Sequence, residues 1–429
     1  MTMNSSFGLK GMALLFAALV ITFASDGSAP GGRFDRLTKI VRNNPSVSKP
    51  GTADTGTTTT TTTTGTTTTT PTTTTSSNTL YPELTAIASS FDVNSLLVPS
   101  WGTGAIAVAE APGPGAVGAF RFICGAGQLL KDDPIVSPGQ PGAAHLHQFF
   151  GNLGANAGST YTSLRSTGGS SCEGGGATAL NRSAYWMPAM LDGVGNVVRP
   201  DYISIYYKRL PLSNPKCSLT SGDAKASGNC VPLPNGLRFI AGYDMVTNTP
   251  KTGSAYFNCD GQTGVGGHYD SFAEAKSHCP TAQNPDGSYN HIGAIIVMPD
   301  CWDGKNLDSA NHRSHVSYQN YDVGDGWPRC PATHPYVIPQ FTMGVWYTVD
   351  ANLGTWSLSS DAMHPDLPVG STFHADWFGA WDNGVEAMWM DGCINKLLNC
   401  SGGDLGNGKQ IKNAWGTSWS ASPRLVPAL

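Results

Sequence analysis

The chain has 429 residues and a net charge of −5, and 13% of its residues are charged, about half the share usual in a soluble protein. With 52 Gly and 29 Pro against only five Glu, it cannot be a coiled coil or a helical bundle, and 11 Trp within a 9% aromatic share exclude a wholly disordered chain. The mildly acidic balance excludes a dedicated nucleic-acid binder, which would carry a basic stripe.

Lys10 is the only charge ahead of an apolar run at residues 12–24. That run falls short of the ~20 residues a membrane-spanning helix needs, but it has the length of the apolar region of a secretory signal peptide, and Thr22-Phe23-Ala24 offers small residues for cleavage. Residues 1–24 are read as a signal peptide, with an uncleaved N-terminal anchor as the alternative, and the protein as secreted or held at the cell surface. Residues 25–79 follow as a basic lead-in (Arg33, Arg36, Lys39, Arg42, Lys49) and a Thr-rich linker, with 20 Thr among residues 52–79. Such a segment cannot bury enough surface to offset its chain entropy and is expected to stay extended. Residues 1–80 hold six basic and three acidic groups, leaving 19 against 27 in the remainder, so the part expected to fold is acidic. No other stretch approaches a membrane span, and none is expected in the mature domain.

From residue 96 to residue 403 the pattern is of short apolar and aromatic runs cut by turn residues. Residues 116–124, 202–207, 237–241, 294–298 and 344–349 read as strands: each is rich in β-branched or aromatic types and bounded by Gly, Pro, Asn or Asp. Residues 271–279 give the best helical periodicity. The expectation is a mainly β, single-domain sandwich or jelly roll with long loops and few short helices, followed by a tail at 404–429. All ten Cys fall inside this region and none forms a CxxC pair, which favours disulfides over structural zinc and fits an oxidising compartment. Chain neighbours are plausible partners: 217 with 230, 259 with 279, 301 with 330, and 393 with 400.

Histidine placement carries the chemistry. His145-Leu146-His147 has i, i+2 spacing, which on a strand points both imidazoles to one face. His312-Arg313-Ser314-His315 has i, i+3 spacing, which brings both rings together on a helical turn. His374-Ala375-Asp376 repeats the i, i+2 pattern with a carboxylate. Imidazoles are common metal ligands and exchange protons near neutrality. Asp133 and Asp376 each accompany a His cluster, whereas Asp303-Gly304 reads as a turn. Tyr185, Trp186, Trp302, Trp377 and Trp381 offer flat faces that could stack on pyranose rings. No P-loop, GxSxG elbow, HExxH or dinucleotide fingerprint is present.

At these same residues the chain resembles the DUF1996 family of exported proteins of fungi and bacteria. The resemblance rests on residues 133–139 (DPIVSPG) leading to His145-Leu146-His147, on Ser183-Ala184-Tyr185-Trp186-Met187-Pro188, on residues 301–308 (CWDGKNLD) with His312-Arg313-Ser314-His315, and on His374-Ala375-Asp376-Trp377 with Trp381. It covers roughly residues 110–400. Two departures stand out: Trp377 replaces the family's usual Phe, and a Cys-rich segment is reduced to Cys172 in a Gly run, which leaves the partner of Cys172 open. Family members are often joined to carbohydrate-binding modules or Ser/Thr-rich stalks, which implies an extracellular polysaccharide or cell-wall glycan as partner.

Three functions compete. The first is a carbohydrate-active enzyme cleaving glycosidic bonds, with Asp133 and Asp376 as acid and base and His145, His147, His312, His315 and His374 moving protons or positioning substrate. Its lyase variant uses a His or Tyr207 as base on a uronate, with Lys305 or Arg313 neutralising the carboxylate. The second holds Zn²⁺ or Cu²⁺ on His145, His147, His312, His315, His374 and Asp376, as a metalloenzyme or a metal-binding protein. The third is a non-catalytic glycan-binding protein.

Overall fold

A computed structural model describes residues 84–428, apart from 111–112, 114, 174–178, 322–323 and 412–422. The segments read as signal peptide, basic lead-in and Thr-rich linker lie outside the described residues. Among those described, the dominant elements are two β-sheets whose strands alternate inward and outward residues. The larger sheet contains β1 (Gly118–Cys124), β5 (Tyr202–Arg209), β7 (Ala255–Asp260), β8 (His291–Val297), β9 (Gln340–Thr348) and β11 (Asn399–Cys400) in the order β7-β8-β9-β5-β1-β11. Its pairs are antiparallel except β11 on β1. The smaller sheet contains β2 (Leu129–Leu130), β3 (His147–Gly151), β4 (Ala184–Pro188), β6 (Arg238–Gly242) and β10 (His374–Phe378) in the order β6-β10-β4-β3-β2, all antiparallel.

The period-2 pattern explains how the sheets stack. In β5, Ile203, Ile205, Tyr207 and Arg209 are buried while the residues between them are half-buried. Register sets Phe120, Tyr207 and Phe341 level across β1, β5 and β9. These side chains share one core with Phe150, Tyr185, Met187, Phe239, Ala375 and Trp377 of the smaller sheet. Two inner faces sharing one core make the β-sandwich the sequence led us to expect. A hydroxyl contact of 2.9 Å between Tyr185 and Tyr207 ties one sheet to the other inside that core, and Trp381 Nε1 donates to Tyr207 at 3.3 Å.

The five expected strand segments all form, and the expected helix forms as α2 (Phe272–Ser277) with Ser271 as its N-cap. Two more short helices accompany it: α1 (Tyr161–Ser166) and α3 (Asn383–Trp389). Asp382 caps α3 and pairs with Arg165 at 3.0 Å in the interior. All ten cysteines are bonded: the four neighbour pairs form as the spacing suggested, and Cys172 joins Cys124. Each bridge closes a loop whose open form would cost chain entropy, a stabilisation of ~2–4 kcal/mol. The packed region continues past residue 403: Leu405 and Ile411 are buried, Lys409–Ile411 pairs with Leu97–Pro99, and Leu425–Pro427 pairs with Asn196–Val198. No helix among the described residues is long and apolar enough to cross a membrane.

Candidate metal centre

The smaller sheet has a second, outer face, and the chemistry sits there. Because Ala375 and Trp377 point into the sandwich core, His374, Asp376 and Phe378 point the other way. On β3 the same alternation sends Phe150 inward and His147 and Phe149 outward. β4 lies between these strands, with Trp186 level with both Asp376 and Phe149, and Pro188 level with His147. Carrying the β10–β4 register two residues further brings His374 level with Pro188. The compact proline ring between two imidazole-bearing strands leaves them room to converge.

His145, just ahead of β3, completes the set. Ring or carboxylate atoms of His145, His147 and His374 lie within 4.8 Å of one another, as do those of Asp133, His147 and Asp376, so His147 joins two overlapping triads. Hydrogen bonds define the tautomers. His147 donates Nδ1–H to the Asp132 carbonyl at 2.9 Å, and His374 donates Nδ1–H to the Thr372 carbonyl at 2.8 Å. Ser359 gives its own hydroxyl proton to the Leu146 carbonyl, so its oxygen accepts Nδ1–H of His145 at 3.1 Å. All three Nε2 atoms therefore carry lone pairs.

Nε2 of His145 and of His374 are 3.2 Å apart. Two facing lone pairs at that distance repel unless a cation or proton lies between them. Zn–N bonds of ~2.0–2.1 Å at a tetrahedral angle would set two nitrogens about 3.3 Å apart. His147 Nε2 and both carboxylate oxygens of Asp376 are buried with no hydrogen-bond partner among the described residues. Buried polar atoms are nearly always paired, so three orphans in one cluster are a marked deficit. Asp133 is better supplied: Oδ1 accepts the Ile135 and Val136 amides at 2.8 Å each, and Trp186 Nε1 lies 3.4 Å from Oδ2.

Electrostatics follow from burial. Burial, then the charge of Asp133, push the Asp376 carboxyl well above the usual range, partly offset by Arg313. Burial also raises Asp133, against the Val136 and Ile135 amides that hold it down. Burial lowers His145 to about 4 and takes His147 and His374 well below the ordinary imidazole value. The imidazoles are therefore neutral, the form that binds metal.

A cavity of about 140 Å³ opens onto the centre, with His312 and Arg313 also in its wall. Arg313 is committed to the Gly242 and Tyr243 carbonyls at 3.1 and 2.7 Å, and His312 bonds Asp308 at 2.9 Å. The helical turn expected at 312–315 does not form. Asn311 Oδ1 accepts the Arg313 and Ser314 amides, and His312 adopts a φ of 58°, so the segment is a turn that separates the two rings. His315 lies apart from the metal-ligand cluster: it is buried between the Ser309 hydroxyl and the Arg238 carbonyl, both at 2.9 Å, and braces the loop.

The proposed sugar platform is likewise corrected. Tyr185, Trp186, Tyr207, Trp302, Trp377 and Trp381 are all buried, so their faces meet core side chains rather than solvent. Burial of so much aromatic area is what stabilises the sandwich. Lys305 is exposed on the Asp303 turn and takes no part in the cavity wall, while Asp303 Oδ1 accepts the Lys305 and Asn306 amides as a turn residue does. Sequence reasoning missed Ser359 and the carbonyls of Asp132 and Thr372. Main-chain acceptors leave no signature in residue type, and Ser359 lies over 200 positions from the ring it orients.

Two disulfide-stapled sheets with a buried His/Asp centre on the outer face of the smaller one define the class of protein. The chain belongs to the DUF1996 family: the model described as "Domain of unknown function (DUF1996)" matches residues 133–381, a span that contains all five residues of the centre. No curated protein and no solved structure matches the chain.

Proposed function

We propose that this protein is an exported, metal-dependent hydrolase whose divalent cation is held by Nε2 of His145, His147 and His374 together with Asp376, and whose target is an extracellular carbohydrate polymer. The observation that carries the reading is the set of three buried orphans, His147 Nε2 and both oxygens of Asp376, beside two imidazole lone pairs 3.2 Å apart. Nitrogen and carboxylate donors of this kind suit Zn²⁺ or Cu²⁺. The hydrogen bonds to Asp132, Thr372 and Ser359 are the supporting contacts that fix ligand tautomer and orientation. A cation there supplies a Lewis acid and activates water at neutral pH. Asp133 remains for proton transfer: a carboxylate oxygen lies within 4.8 Å of His147 and Asp376, Oδ1 is held by two amides, and Oδ2 accepts only the long 3.4 Å contact from Trp186 Nε1. Export is supported by five disulfides.

The test is elemental mass spectrometry of the full chain purified without chelators, beside a His147→Ala/His374→Ala variant. One equivalent of zinc or copper, absent from the variant, is the expected result. No metal after reloading with either ion would overturn it. A second reading rests on Asp133 and Asp376, whose oxygens lie within 4.8 Å, about the separation of a carboxylate pair in a retaining glycosidase. New reducing ends from a polysaccharide panel in the presence of chelator would favour that reading.

A further inference from the structure

Building on the metal reading, we infer that the bond cut at this centre is the acyl carbon–oxygen bond of a short ester, an acetyl-sized group carried on a polyhydroxylated polymer, rather than a glycosidic bond. Size decides first. A cavity of about 140 Å³ is close to one that holds a single benzene ring, ~150 Å³. Hydrolysis of a glycosidic bond needs the whole ring that carries the anomeric carbon and the sugar leaving through the bridging oxygen at the centre together, which is more than such a space holds. An acetyl group fits.

The wall points the same way. Away from the centre it is built largely from Ala143, Ala144, Ile240, Met245, Val246 and Met363, a mostly methyl and methylene surface that offers few groups to a sugar's several hydroxyls. Most polar side chains there are already engaged: Arg313 by two carbonyls, His312 by Asp308, Asp244 by the Val246 and Thr247 amides, and Asn311 Oδ1 by two amides, which leaves the Ser137 hydroxyl and the Asn311 amide group to meet a substrate. Val246 and Met363 stand 80% and 56% exposed and form an apolar lip.

The polymer itself has somewhere to lie. An open cavity of about 510 Å³ is lined by Asn248, Lys251, Asp270 and Asp366, groups that can meet hydroxyls. The two cavities lie beside each other along the chain: Tyr243 and His364 line the open one, and their chain neighbours Asp244 and Met363 line the narrow one. A chain resting in the open cavity can pass a substituent over the lip to the centre. The reaction balances without an oxidant. Water oxygen bonds to the acyl carbon, the carbon–oxygen bond to the sugar breaks, and Asp133 takes the water's proton and returns it to the departing sugar oxygen. A carboxylic acid and a free hydroxyl result.

The experiment uses the full chain loaded with zinc, and a second sample loaded with cobalt. Acetylated xylan should release acetate without new reducing ends, and 4-nitrophenyl acetate should turn over at least tenfold faster than 4-nitrophenyl octanoate. Met363→Ala, a change at an exposed position, should shift the preference several-fold toward butanoate. Asp133→Asn should lose acetate release while keeping its metal. Acetohydroxamate, but not octanohydroxamate, should shift the cobalt absorption bands. A chain that binds stoichiometric metal yet releases no acetate and shows no acetohydroxamate shift overturns the acyl inference and leaves the metal reading intact. A chain that binds no metal overturns the metal reading itself.

Discussion

Asp376→Leu separates a metal ligand from an ordinary core residue. Leucine sets two methyl groups where the carboxylate has two oxygens, and the adjoining cavity takes their extra bulk. In the metal-free protein those oxygens are buried without partners, a cost of ~1–3 kcal/mol for the group. The metal-free variant should therefore be more stable than the metal-free wild type by about that amount, or roughly 2–6 °C in Tm at ~2 °C per kcal/mol for a large domain. Zinc at a hundred times its Kd should stabilise the wild type by ~2.7 kcal/mol, near 5 °C, and the variant not at all. A pH signature accompanies this. Because the folded-state value of Asp376 lies above its ordinary 3.8, the folded state binds the extra proton between the two values. Metal-free wild type should thus lose stability as pH rises through that window, relative to the variant. Calorimetric melting with and without zinc reads all three. A variant that melts below metal-free wild type, or gains as much from zinc, would refute the reasoning.

Other outcomes follow from the same geometry. Because burial raises the Asp376 carboxyl, proton release on zinc binding should grow as pH falls below that raised value, with the proton coming from Asp376 and none from the neutral imidazoles; titration calorimetry in buffers of different ionisation enthalpy measures this, and Asp376→Asn should abolish it. Ser359→Ala removes the nearer acceptor of His145 Nδ1–H, leaving the Leu146 carbonyl at 3.4 Å, and metal affinity should fall about 10–100-fold in a chelator competition with melting of the metal-free protein nearly unchanged. Trp377→Ala should destabilise by ~3–5 kcal/mol in denaturant unfolding, and Trp377→Phe by less, with metal content per folded molecule unchanged in both. Loss of glycan binding by Trp377→Ala with unchanged stability would contradict its place in the core.

What the sequence made legible was local. An i, i+2 pair points to one face of any strand, so the spacing of His374 and Asp376 was enough to place them together, although residues 374–378 were not among the expected strands. The short-range disulfides were legible for the same reason, since Cys217 and Cys230 or Cys393 and Cys400 need only a loop. The i, i+3 reading of His312 and His315 failed because one asparagine, Asn311, captures two amides and a left-handed residue breaks the turn. That competition between side chain and helix cannot be weighed from spacing alone. The aromatic reading failed for a different cause: whether Trp186 or Trp377 faces solvent depends on what covers the strand, and that cover comes from distant segments. Asp132 and Thr372 contribute main-chain oxygens, which every residue possesses.

The strand order β6-β10-β4 has a kinetic consequence. Residues 374–378 slot between strands made some 130 and 190 positions earlier, so the smaller sheet presents two unpaired edges until the last third of the chain arrives. Contacts of such long sequence separation form slowly, and open edges invite pairing with other chains. His374 and Asp376 ride on the strand that closes the gap, so the final ligands arrive in the same event that seals the edges. On the proposed metal reading, a nascent chain would offer the cation the His145/His147 pair without His374 or Asp376, and cation capture would follow closure of the sheet.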